Sequence, residues 1–196
     1  MTRSLPLLLL LLSVPLSGCM ARGSDRISSV VPLDLGEGAT TVQHLAPDGR
    51  QGLVVEARDP VWHAPVLMAM LPRASGARGW DVVGLENDAG ARVSSLEGRG
   101  RALVLARAKV GGMPATLLFV AGPDGADTGA RGEPKRMVIR TLRLQTDGDG
   151  ASFDQIGVQT TRRVFCSPSE AIAMTFRTAL PEGNASEDVC RASPGS

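Results

Sequence analysis

Ala102-Leu103-Val104-Leu105-Ala106-Arg107-Ala108-Lys109-Val110 is the stretch that decides the fold. Successive side chains of a strand point to opposite faces. Ala102, Val104, Ala106, Ala108 and Val110 therefore share one face. Leu103, Leu105, Arg107 and Lys109 run from apolar to charged along the other, the signature of a half-buried strand. Similar short runs lie on either side, broken by Gly, Pro and Asp: 27–33, 52–58, 66–71, 80–85, 115–121, 136–145 and 153–162. Runs of this length, about 10–15 residues apart with turn residues between them, predict a mostly β protein. Residues 66–71 and 116–121 are apolar at every step and suit central strands covered on both faces. We expect one antiparallel β-rich domain over 30–196, a sandwich or a single sheet, closed by one C-terminal α-helix. No internal repeat or domain linker interrupts it. The longest irregular stretch is 122–134, long for a hairpin connection.

The helix is announced by Ser167-Pro168-Ser169-Glu170. This is a capping box with Pro at the first helical position. The Ser167 hydroxyl is expected to accept from the Glu170 amide, and Glu170 to reach back to the Ser167 amide. Ile172, Ala173, Phe176, Ala179 and Leu180 then recur at helical spacing. Leu180-Pro181 is the expected end, because a residue before Pro avoids helical geometry.

The other informative region is the N-terminus. Arg3 precedes an apolar run from Leu5 to Leu12, and small residues follow, the pattern of a cleaved secretory signal over residues 1–18. The run is shorter than the roughly 20 apolar residues of a membrane-spanning helix. Leu16-Ser17-Gly18-Cys19 resembles the lipobox of bacterial lipoproteins. In that family the chain is cut before the Cys, which carries lipid on its sulfur and an acyl group, such as palmitate, on its amine. The resemblance implies that Cys19 is the first mature residue and the membrane anchor, with 19–29 as a lipidated tether. Several acyl chains anchor durably where one binds marginally. Met20, where inner-membrane retention would place Asp, implies the periplasmic face of the outer membrane.

Removing residues 1–18 leaves 178 residues, enough for one domain with a core. The leader holds Arg3 and no acid, so 20 basic and 20 acidic side chains remain. Such balance gives no pull toward nucleic acid. If Cys19 is acylated, Cys166 and Cys190 remain as a pair in an oxidising compartment, and a disulfide between them is expected. Its loop of about 24 residues would contribute roughly 3 kcal/mol by restricting the unfolded chain.

Candidate chemistry is sparse. Asp147-Gly148-Asp149-Gly150 has the start of a calcium loop, but Ala151 and Phe153 stand where further oxygen ligands belong. Asp124 and Asp127 form a second acidic pair, about 30 Å away along the strand between them. Turn chemistry accounts for both, and no metal site or cofactor is expected. His44 and His63 are the only histidines, neither with a second ligand at zinc spacing. No nucleophile elbow or Ser-x-x-Lys motif occurs. Glu97-Gly98-Arg99-Gly100-Arg101 lacks the Lys of a phosphate loop. Trp62-His63, beside Pro60, is the most unusual local cluster and the one site candidate the sequence offers. A Trp packed on the sheet, with His63 bonded to backbone, accounts for it better than catalysis does. With no Tyr, four Phe and two Trp, no stacking platform for sugars or single strands is expected.

The order 138–144, then Phe153-Asp154-Gln155-Ile156, then Phe165-Cys166-Ser167-Pro168-Ser169-Glu170-Ala171 resembles the closing strand–strand–helix of a periplasmic family linked to carbapenem self-protection. The resemblance covers about the last third of the chain and implies a non-catalytic β domain. It carries over no functional residue. The expected role is a lipid-anchored envelope protein that binds rather than catalyses, attached to the membrane through Cys19, with an envelope protein as candidate partner. A periplasmic hydrolase and a structural envelope component are the alternatives.

Overall fold

The computed structural model describes residues 26–61, 64–73, 78–86, 92–97, 100–125, 133–147 and 150–181. The described elements are β1 (Ile27–Pro32), β2 (Gly38–Val42), β3 (Gly52–Arg58), β4 (Pro65–Pro72), β5 (Trp80–Val82), β6 (Gly84–Glu86), β7 (Arg92–Val93), β8 (Leu96–Glu97), β9 (Ala102–Val110), β10 (Met113–Pro123), β11 (Lys135–Asp147), β12 (Gly150–Phe165) and α1 (Pro168–Phe176). β1 begins inside the stretch expected as tether.

The strands form two sheets. The larger runs β1-β9-β10-β11-β12-β6-β7, and the smaller runs β2-β3-β4-β5 with β8 also on β4. All pairings are antiparallel except β12–β6, where Ser152 and Phe153 lie parallel to Gly84 and Leu85. The fold is therefore mostly β with a single described helix near the C-terminus, as the strand pattern predicts.

The core is double. Leu103, Leu105, Leu118, Val120, Leu142, Leu144 and Phe153 of the larger sheet meet Val42, Val54, Leu67, Ala69 and Leu71 of the smaller one. The opposite face of the larger sheet offers Val104, Ala106, Leu117, Phe119, Met137 and Ile139 to Ala171 and Ile172 of α1. Burying apolar area at roughly 25 cal/mol per Å² drives both contacts. The double covering corrects two expectations. β9 is not half-buried: Ala102 to Ala106 are buried on both faces, and only Arg107 and Lys109 emerge. Conversely, β4 is not covered on both sides. Leu67, Ala69 and Leu71 enter the core, while Val66, Met68 and Met70 are partly exposed on the outer face. β10 is doubly covered as its unbroken apolar run predicts.

Polar side chains tie the 43–51 connection to the larger sheet. Thr116 Oγ1 donates to the Leu45 carbonyl at 2.7 Å. Arg107 donates to the His44 carbonyl at 2.8 Å and to the Gln43 carbonyl.

The helix departs from expectation at both ends. Ser167 is its N-cap, extended at φ −126° and ψ 132°, and Pro168 opens the helix, but Ser167 makes no side-chain cap bond. Buried at the joint with the sheet, Ser167 is engaged otherwise, and Glu170 stays exposed, so the capping box does not close. The helix stops at Phe176 rather than Leu180, because Arg177 turns left-handed at φ 52° and ψ 51°. The Thr178 N–H then closes on the Ala173 carbonyl at 3.0 Å.

Candidate functional site

β12 begins between two neighbours and ends with one. Its whole length pairs with β11, but on the other side β6 reaches only Ser152 and Phe153. From Asp154 to Phe165 no described strand completes that side. Along this free side lies a groove of about 340 Å³ between β12 and α1, lined by Gln159, Thr160, Thr161, Arg162, Arg163, Phe165, Met174 and Thr175. Pockets for small ligands begin near 300 Å³.

The local geometry follows from a bulge. Val138 pairs with Thr160 and Arg136 with Val164, so Met137 alone faces Thr161, Arg162 and Arg163. Thr161 locks this distortion from inside. Its buried hydroxyl accepts from the Met137 N–H at 3.0 Å and donates to the Arg163 carbonyl at 2.7 Å. Consecutive side chains of a regular strand diverge to opposite faces. A bulge breaks that alternation and re-aims side chains. Here Arg162 and Arg163 are both exposed, and both line the groove.

The helix wall is held by packing. Ala171 and Ile172 are fully buried, and the Phe176 ring stacks on Phe119 with centroids 4.3 Å apart. Thr178 Oγ1 donates to the Val30 carbonyl of β1 at 3.1 Å. These contacts leave Met174, 56% exposed, on the groove, while Phe165 floors it at 8%. Val158 and Val164 are also exposed along β12.

Both guanidinium groups are solvent-facing, with no ion pair among the described residues. A planar guanidinium offers a fork of donors that fits carboxylate or phosphate oxygens. Threonine hydroxyls add neutral donors, and Met174 with Phe165 adds apolar surface. The arrangement suits an anion carrying an apolar part, or an acidic segment of a partner. Among the described residues no cluster of three His, Cys, Asp or Glu is placed to hold a metal ion.

Of the residues singled out in the sequence, only Ser167, Glu170 and Cys166 adjoin this region. Cys166 follows Phe165 directly and is half-buried. Its expected partner Cys190, the lipidation candidate Cys19 and the Trp62-His63 pair lie outside the described residues. His44 is exposed on the turn after β2, with φ 49°. Arg162 and Arg163 were not expected, because alternation sends consecutive residues to opposite faces and no local motif marks a bulge.

No known family matches this chain, and no curated protein does. Among solved structures, the crystal structure of CarG is similar, with 16% sequence identity and a TM-score of 0.53 over 80% of this chain and 99% of that chain. The arrangement of sheets and helix described above is thus shared with CarG at the level of the fold.

Proposed function

We propose that this chain is a lipoprotein of the bacterial cell envelope, anchored through Cys19 at the periplasmic face of the outer membrane, that works by non-catalytic binding at the Arg162–Arg163 groove. The carrying observation is the bulge at Thr161, beside which Arg162 and Arg163, exposed and without an ion pair among the described residues, both line one partly apolar cleft. The leader and Leu16-Ser17-Gly18-Cys19 support the location. An exported compartment also suits a Cys166–Cys190 disulfide. The segments that resemble the carbapenem self-protection family build β11, β12 and the start of α1, the elements around the groove. Self-protection by binding is therefore the accessory role to test first.

The acylated protein, used as bait on solubilised membranes and periplasmic extract, should retain a ligand or envelope partner. Arg162→Glu/Arg163→Glu should retain at least tenfold less, because a charge-assisted hydrogen bond contributes about 1.5–3 kcal/mol and about 1.4 kcal/mol is tenfold. Equal retention by both forms would remove the groove from the function, and turnover of a bound compound would replace binding by catalysis. Labelled palmitate should enter the native chain and not Cys19→Ser. In a carbapenem-sensitive host, export of the native chain should raise tolerance, and the double variant should not.

A further inference from the structure

The tether and the β9–β10 hairpin meet at one point, and that meeting fixes which end of the domain faces the lipid. Gly111 and Gly112 form the two-residue turn, both left-handed at φ 59° and φ 85°, the conformation such a tight hairpin requires. The Gly111 N–H donates to the Arg26 carbonyl at 3.2 Å, and Ile27 pairs with Val110. The chain therefore enters the fold beside the hairpin tip. Only seven steps separate Arg26 from Cys19. They span at most about 25 Å when extended. As a flexible coil they average about 15 Å.

The tip carries the surface that a bilayer favours. Met113 is 65% exposed at the first position of β10, beside exposed Gly112 and Pro114. Lys109 and Arg26 are exposed next to it, and the tether adds Arg22 against the single acid Asp25. An isolated exposed apolar side chain needs no explanation. One at a hairpin tip that also carries cations, Lys109 across from Pro114 and Arg26 where the chain enters, at the point where the proposed lipid anchor joins, matches the interface between acyl chains and anionic headgroups. The Arg162–Arg163 groove lies at the other end of the larger sheet. Gln159 is level with Ile139, and Ile139 with Ala121, eight residues up β10 from Met113. At about 3.3 Å per residue, that distance is roughly 26 Å.

We infer that the β9–β10 hairpin tip docks on the lipid surface, with Met113 entering the headgroup layer and Lys109 and Arg26 meeting lipid phosphates. This sets the groove away from the membrane. The inference rests on the anchor reading of Cys19. The test compares two exposed methionines of one molecule, Met113 at the tip and Met174 in the groove. The acylated protein is reconstituted in vesicles of phosphatidylethanolamine and phosphatidylglycerol and exposed to a hydroxyl-radical pulse. Oxidation of each methionine is read by mass spectrometry against soluble Cys19→Ser. Met113 should be oxidised several-fold more slowly on vesicles, with Met174 unchanged, and Lys109→Glu should restore much of the Met113 rate. Equal rates at Met113 on vesicles and in solution, with fatty acid present on Cys19, overturn the docking and leave the anchor standing. Equal slowing at Met113 and Met174 overturns it as well. Absence of fatty acid on Cys19 removes the anchor reading, and the docking with it.

Discussion

Glu56 sits on β3 opposite Leu67, and burial pushes its carboxyl above the ordinary glutamate range, only partly offset by Arg58. Glu37 and Asp34 add a smaller push the same way. A carboxyl whose folded pKa exceeds its unfolded one binds its proton more tightly in the folded state. Its contribution to stability is then full below the unfolded pKa and is lost as pH rises through the folded one. Glu56→Gln should therefore raise the melting temperature at neutral pH, and the gain should vanish when unfolding is measured below the carboxylate range. Gly52 is constrained by space instead. A methyl there would strike the Leu45 side chain and stand 2.9 Å from both Leu71 Cδ2 and the Met70 carbonyl oxygen. Gly52→Ala should cost about 1–3 kcal/mol, as forced overpacking does, read as a lower denaturant midpoint. Neither position stands out in the sequence, because most of the groups that act on them lie elsewhere in the chain.

Thr161 acts on its whole strand. Valine has the shape of threonine but offers the buried Met137 N–H nothing to bond. An unsatisfied buried donor costs about 1–3 kcal/mol, so Thr161→Val should lower the melting temperature by several degrees. If the bulge relaxes, Arg162 and Arg163 diverge, and binding at the groove should fall by more than the loss of stability explains. Strand positions were legible where apolar residues recur, as in β3, β9, β10 and β11. β2 escaped notice because Gly38-Ala39-Thr40-Thr41-Val42 carries little apolar weight, and its place is set by pairing with β3. The helix start was marked by Pro168, but its end was not, because Leu180-Pro181 masked the left-handed turn at Arg177.

For the molecule as a whole, the fold class followed from strand periodicity, while the layering did not. Alternation tells how many faces of a strand are apolar, but not what covers them. β9 and β4 exchanged environments because the helix that caps β9 comes some sixty residues later in the chain. The groove was illegible for a related reason, since it depends on a register shift between β11 and β12.

That irregular border has one more consequence. An uncapped strand side offers a row of free amides and carbonyls on which another chain can grow. The kink at Thr161 spoils the repeat that a stacked copy would need, so the feature that shapes the cleft also guards against fibril growth.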